Sequence, residues 1–210
     1  MDNATLTGEQ RARYERDGFL VLRNHIGPEK LRRLDRAIEA HVPGDAYAPG
    51  KIYPEPAKYT ICRQSLANPD LAFIAEDPAV VAPTECLLGD EAHLTAYVGY
   101  VRTPHDNGSG AHNDYKRWRP VGSSMNWIFT IIPLTDFDEA IGPLLVAPGS
   151  HQLEKVTATG NVWQRAAPTK PAATDFVDAG LRRGDLLLMN MYTWHQAPPN
   201  QSGRRRIGLF

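Results

Sequence analysis

Cysteine is scarce in this chain: Cys62 and Cys86 are the only two, and they form no CxxC pair. Their isolation excludes a disulfide framework and points to a reducing, cytoplasmic setting. Charge of one sign is missing too. Lys plus Arg total 23 against 24 Asp plus Glu, a net charge of -1, which leaves no footprint for nucleic acid or an anionic membrane. No stretch reaches the roughly 18 apolar residues a membrane helix needs. Met1–Ala4 lacks the charged region and following apolar run of a signal peptide. Internal repeats and low-complexity tracts are absent as well. What is present is an ordinary globular composition, 42% hydrophobic over 210 residues, enough for one domain with its own core. Glycine and proline, 17 of each, are spread along the chain and suit a loop-rich β fold.

In order, Thr7 with Gln10 reads as a capping box, so a short helix is expected to about Arg16, stopped by Asp17-Gly18. Phe19–Leu22 reads as a strand. Pro28 suits a first helical position, and Leu31, Leu34, Ile38 and Val42 follow on one helical face. Residues 43–70 are rich in proline and glycine, with one short strand expected around Tyr59–Cys62; a long ordered loop of this kind often covers a site. Helices are expected over 70–76 and 78–89. From residue 93 the pattern turns to β: 93–102, His112–Tyr115, 125–134, 144–147, 186–189 and 205–210. Many short strands with turns between them predict a mainly β jelly roll with N-terminal helices packed on one sheet. The expected organisation is a single domain over 1–210. Residues 1–92 form its helical part and cover loop, and 93–210 its core, with an insertion at 152–180.

Chemistry centres on His112-Asn113-Asp114. On a strand, side chains two apart share a face, so an imidazole and a carboxylate would meet at one point. One more histidine would complete the two-His, one-carboxylate set that holds non-haem Fe(II) with open positions. His195 fits best, placed at a strand end before the loop Gln196–Asn200. The others fit less well: His25 and His41 belong to the helical region, His93 begins a strand alone, His105 lies in a Gly/Asn loop and His151 follows a Pro-Gly-Ser turn. Arg204-Arg205-Arg206 follows nine to eleven residues after His195. Alternation puts Arg204 and Arg206 on one face, and an arginine facing a barrel interior needs an anion, which a dicarboxylate supplies in bidentate fashion. Lys116, Arg117, Trp118 and Arg119 come directly after the triplet and read either as a solvated loop or as a substrate-facing rim.

These pieces resemble the phytanoyl-CoA dioxygenase (PhyH-like) family. The matching segments are Leu6–Arg23, His112-Asn113-Asp114, Gly142-Pro143-Leu144 with Pro148-Gly149-Ser150-His151, Gly184-Asp185-Leu186 to His195, and Asn200-Gln201-Ser202 to Arg206, in family order. The resemblance implies a double-stranded β-helix, Fe(II) bound by His112, Asp114 and His195, 2-oxoglutarate as cosubstrate, and O2. It favours Arg206 over Arg204 as the carboxylate anchor. It also offers Tyr97 or Tyr100, and Asn126 or Thr130, as further 2-oxoglutarate contacts. Pro148–His151 and Asp185 read as turn residues. Family members usually continue past this last strand.

The implied activity is oxidation of an unactivated C–H bond of a small molecule, by hydroxylation, oxidative cyclisation or desaturation. Succinate and CO2 are released, plausibly in natural-product tailoring. Asp114 argues against halogenation, for which the family carries a small residue. Tyr53, Tyr59, Trp163 and the 116–119 run suit a polar or anionic substrate. The expected partner is a small molecule only, with no nucleic acid and no membrane, and the chain a monomer or homodimer. Two other readings stay open: a cupin-like metalloenzyme that uses no 2-oxoglutarate, and a non-catalytic small-molecule-binding jelly roll.

Overall fold

A computed structural model describes residues 6–41, 60–62, 66–114, 127–153, 156–159, 162–165 and 170–210. The chain opens with helix α1 (Gly8–Asp17). Its capping box is formed as expected: Thr7 Oγ1 accepts from the Gln10 amide at 3.2 Å, and Gln10 Oε1 accepts from the Thr7 amide at 2.8 Å. Gly18 ends the helix in the left-handed conformation, φ 78°. Strand β1 (Phe19–Leu22) follows, then α2 (Pro28–His41), which buries Leu31, Leu34, Ala37 and Ile38 along one face. β2 (Thr60–Cys62), α3 (Pro69–Ala72), one 3-10 turn (Phe73–Ala75) and α4 (Pro78–Leu88) complete the first part.

The remaining strands are β3 (Gly99–Arg102), β4 (Ser109–His112), β5 (Ile128–Pro133), β6 (Leu145–Val146), β7 (Val156–Thr159), β8 (Val162–Arg165), β9 (Val177–Asp178), β10 (Leu186–Asn190), β11 (His195–Ala197) and β12 (Arg206–Leu209). They form an antiparallel six-stranded sheet, β1-β10-β5-β12-β3-β2, facing a four-stranded sheet, β4-β11-β6-β9, with β7-β8 a separate hairpin. This is the expected double-stranded β-helix.

Alternation along β10 separates two cores. Leu186 and Leu188 pack with Leu31, Leu34, Ile38, Leu71 and Ile74 from the helices. Leu187 and Met189 pack with Phe137, Leu144, Val146 and Leu181 between the sheets. The large sheet is thus apolar on both faces and carries the helices on its outer side.

Several elements differ from the sequence reading. The core is not confined to 93–210, because β1 pairs with β10 and β2 with β3 on the large sheet. The 152–180 segment ends in β9, which pairs with β6 and so joins the small sheet. Residues 93–98 are not strand; only Val98 is tied into the sheet end, exchanging backbone hydrogen bonds with Phe210 at 2.9 and 2.8 Å. The expected strand His112–Tyr115 stops at His112, and Asp114 lies beyond its end. His195 begins a strand rather than ending one. Amides before it are taken up by turn partners instead of a ladder: Tyr192 by Asn190 Oδ1 at 3.0 Å, Thr193 by Asn190 O at 2.9 Å and Trp194 by Ser150 Oγ at 2.9 Å. Among the described residues no helix is long and apolar enough to cross a membrane.

Candidate metal centre

Antiparallel pairing of β4 with β11 sets His112 directly opposite His195. Close approach of these strands depends on Gly108, whose φ is +71° and whose Cβ, if present, would run into Ala197 O and lie 2.6 Å from the Pro198 carbonyl carbon. Asp114 is fixed two residues past His112 by its amide, which donates to Met191 O at 3.2 Å. Asn113 between them is buried and donates through Nδ2 to Tyr192 O at 3.5 Å. The three side chains His112, Asp114 and His195 therefore meet, with one ligand atom of each within 4.8 Å of the others. Strand alternation does not bring Asp114 there. The chain turns after His112 and presents the carboxylate from a loop.

The imidazoles are oriented alike. His112 Nδ1 lies 2.7 Å from Gly110 O, and His195 Nδ1 lies 3.0 Å from Thr193 O. A carbonyl only accepts, so in both rings Nδ1 carries the proton and Nε2 offers its lone pair. Both Nε2 atoms face the carboxylate: His195 Nε2 is 3.6 Å from Asp114 Oδ2, and His112 Nε2 is 3.9 Å from Asp114 Oδ1. Asp114 and His195 are buried, and His112 is partly open. Two neutral nitrogens and one anionic oxygen, each ring held by a carbonyl behind it, form a donor set suited to a divalent transition metal. Two of the other histidines are engaged elsewhere. His25 Nε2 meets Ala79 O at 2.8 Å and His151 Nε2 meets Glu15 O at 3.1 Å.

Arg206 lies in β12 opposite Arg102 of β3, and both are buried. The Arg206 guanidinium sits 3.8 Å over the ring of Phe137, in the space between the sheets. Its pKa is pushed down to about 9, chiefly by burial and next by the Arg102 charge, with Asp106 opposing. Among the described residues no carboxylate lies within ion-pair distance of Arg206, and its Nε has no hydrogen-bond partner. Arg204 has another fate: it is exposed and paired with Asp138 at 2.8 Å. The two arginines do not share a facing, because Arg204 precedes the strand. Asn200 shapes that approach, accepting from the Ser202 amide at 2.9 Å and donating to Arg204 O at 2.7 Å.

A cavity of about 170 Å³ reaches Asp114. Tyr97, Tyr100 and Thr130 all border it, but differently. Tyr100 packs edge-on to Phe210, with ring centres 4.8 Å apart. The Tyr97 hydroxyl donates to Leu71 O at 2.9 Å. Thr130 sits between Ile128 and Ile132, residues of the helix-side core, so alternation turns it toward the helices. Asn126 and Lys116, Arg117, Trp118 and Arg119 lie outside the described residues.

Residues the sequence did not single out are Arg102, Thr193 and Asn190. Ser150 belongs to the Pro148–His151 turn, whose serine caps the approach to His195, so that segment serves as the turn it was read as. Asp185 is likewise a turn residue. It is buried, ion-paired with Arg23 at 2.7 Å, and accepts from the Asn24 and Arg182 amides at 2.9 and 3.0 Å.

A double-stranded β-helix with two histidines and an aspartate gathered at paired strand ends defines a candidate mononuclear metal protein. The chain belongs to the phytanoyl-CoA dioxygenase (PhyH) family, whose model matches residues 14–208. It is 29% identical over 155 residues to ectoine dioxygenase of Bordetella parapertussis, a match covering 70% of this chain and 50% of that protein. The chain thus spans about half the length of the curated relatives it matches. In fold it resembles EctD from S. alaskensis, solved with 2-oxoglutarate and 5-hydroxyectoine (TM-score 0.72, 19% identity, 100% of this chain and 76% of that one). It also resembles the non-haem alpha-ketoglutarate-dependent carbocyclase SnoK from nogalamycin biosynthesis (TM-score 0.74, 18% identity, 97% and 82%).

Proposed function

We propose that this protein is a non-haem Fe(II)- and 2-oxoglutarate-dependent oxygenase that oxidises an unactivated C–H bond of a small molecule. The observation that carries the reading is the convergence of two Nε2 atoms on the Asp114 carboxylate, both rings oriented by carbonyls behind them. Family membership and the activity of the ectoine dioxygenase relative support the same class.

His112, Asp114 and His195 would hold the iron, as the two-His, one-carboxylate set does in non-haem oxygenases. When bound, the metal with O2 and 2-oxoglutarate supplies a two-electron oxidation of the substrate C–H, with succinate and CO2 as coproducts. The two backbone carbonyls, Gly110 O and Thr193 O, hold a proton on each Nδ1 and keep both Nε2 atoms free to bind. Asp114 balances one unit of metal charge in a buried setting. Arg206 takes the far carboxylate of 2-oxoglutarate. A buried cation over an aromatic ring, with no carboxylate among the described residues within ion-pair distance, is costly until an anion arrives. The same cation disfavours a metalloenzyme that uses no dicarboxylate, since such an enzyme would carry the cost with no return. Tyr97 and Tyr100 both border the cavity with Asp114, and because the Tyr97 hydroxyl donates to Leu71 O, Tyr100 is the one we assign to the cosubstrate or substrate. The outcome is hydroxylation, cyclisation or desaturation, and natural-product tailoring is the setting we propose.

The test is stoichiometric. Purified protein with Fe(II), 2-oxoglutarate and O2 should release succinate and CO2 one to one, and Arg206→Met should stop it without removing iron. Absence of succinate from iron-loaded, folded wild-type protein that binds 2-oxoglutarate would count against the reading. So would unchanged turnover in Arg206→Met.

A further inference from the structure

We propose that the substrate is an uncharged molecule presenting a carbocyclic or aromatic ring, and that this ring sits in the cavity beside Asp114. The identification as substrate rests on the oxygenase reading above; the binding of the ring does not.

The cavity begins at the metal cluster. The Asp114 amide donates to Met191 O and the Met191 amide donates to Trp127 O, each at 3.2 Å. This backbone chain brings Met191 and Trp127 close to Asp114, and all three border the cavity. Beyond them stands an aromatic wall. Phe210 packs edge-on to Tyr100 at 4.8 Å and to Phe129 at 6.2 Å between ring centres. Edge-to-face clusters of this kind present a ring face or edge to an incoming ring. The far wall is aliphatic, with Ile74, Val80 and Val81 on the helix side.

Charge decides the class. Among the described residues the cavity is lined by no lysine or arginine, and Asp114 is its one carboxylate. That carboxylate is committed to the metal. Away from the metal, His93 is the one basic side chain an anionic group would meet among the described residues lining this cavity, and burying that group there without a cationic partner costs more than apolar contact returns. The hydroxyl and imidazole groups that line it belong to Thr84, His93, Thr95, Tyr97, Tyr100 and Thr130, and two are engaged within the protein. The Thr84 hydroxyl donates to Val80 O at 2.7 Å and the Tyr97 hydroxyl to Leu71 O at 2.9 Å. Size agrees: about 170 Å³ slightly exceeds the cavity of about 150 Å³ that admits benzene. An anionic substrate, which the basic run 116–119 suggested from the sequence, is the competing class.

The experiment is calorimetry on the whole chain, metal-free, with three probes: neutral 2-indanol, the indane-2-carboxylate anion and zwitterionic ectoine. We expect 2-indanol to bind at least about tenfold tighter than either charged probe. Phe210→Ala should weaken 2-indanol binding about tenfold. Val81→Lys, at a half-buried helix position, should reverse the preference toward the carboxylate. In iron-loaded protein 2-indanol should also stimulate succinate release. Equal or tighter binding of indane-2-carboxylate or ectoine overturns the proposal. Unchanged 2-indanol affinity in both variants overturns it too, as does 2-indanol binding without stimulation in protein that binds iron and 2-oxoglutarate. Failure of the oxygenase reading shows separately, as loss of 2-oxoglutarate binding with 2-indanol binding intact.

Discussion

His195, the first residue of β11, stands directly across the ladder from His112, the last residue of β4, and their rings lie 4.3 Å apart between centres. A metal held by both therefore bridges two strands that are 83 residues apart in sequence. Removing either ring should leave a folded sheet with a broken centre. His195→Ala is expected to lower iron affinity at least about 100-fold, beyond the 10–100-fold typical of residues behind the ligands. Its circular dichroism should stay near wild type. Anaerobic calorimetry checks the first, far-ultraviolet spectra the second.

Thr193 supports His195 from behind. Its carbonyl accepts from Nδ1, while its buried hydroxyl donates to Gly18 O at 2.8 Å, tying the turn to the end of α1. Thr193→Val keeps the shape and removes the hydroxyl. It should weaken iron binding about tenfold and raise the apparent metal requirement in turnover, with kcat at saturating iron little changed. Thr193→Ser should restore wild-type metal affinity. A general loss of stability without a metal effect would show the turn to be merely structural.

Arg206 carries a cost that its ligand removes. With no dicarboxylate bound, Arg206→Met should stabilise the protein by about 1–4 kcal/mol, as apolar replacement of buried ionic groups often does. The same variant should lose the rise in melting temperature that 2-oxoglutarate gives the wild type. Thermal scans with and without 2-oxoglutarate read both effects at once. Arg204→Met, by contrast, removes only a surface pair with Asp138 and should change either by less than about 1 kcal/mol.

Asp185 is structural. Asp185→Ala leaves the Asn24 and Arg182 amides without their acceptor and should destabilise by roughly 2–4 kcal/mol, given about 1–3 for each unsatisfied buried donor. Iron affinity of the folded fraction should not change. Denaturant unfolding alongside metal titration separates the two.

Gly108 is expected to tolerate no side chain. Gly108→Ala combines a positive φ with a clash against the Ala197 and Pro198 carbonyl groups and should cost about 1–3 kcal/mol. Because the clash pushes β4 from β11, iron affinity should fall with stability, unlike in Asp185→Ala.

Much of this was legible in the sequence because the signals are local. The Thr7 capping box, the helical face of Leu31, Leu34 and Ile38, and the apolar run Leu186–Met189 each state their structure within a few residues. The gathering of His112, Asp114 and His195 was legible through motif order. Its geometry was not, since Asp114 arrives by a turn in which its amide donates to the carbonyl of Met191, far along the chain. Strand length was overread at 93–98, where β-rich composition exists without a strand, and His195 was read as ending a strand that it begins. The facing of Arg204 was misjudged for a related reason: alternation holds only once the strand has begun, and Asn200 and Asp138 fix Arg204 before that point. Arg102 and Thr193 carried no sequence signal, because their roles arise only from cross-strand and turn neighbours.

The central claim is tested most directly by anaerobic Fe(II) titration of the whole chain, followed by 2-oxoglutarate. The account predicts one iron per chain in the wild type, a visible charge-transfer band once 2-oxoglutarate is added, and loss of both in His195→Ala. Wild-type protein that binds no iron, or binds it equally well in His195→Ala, would contradict it.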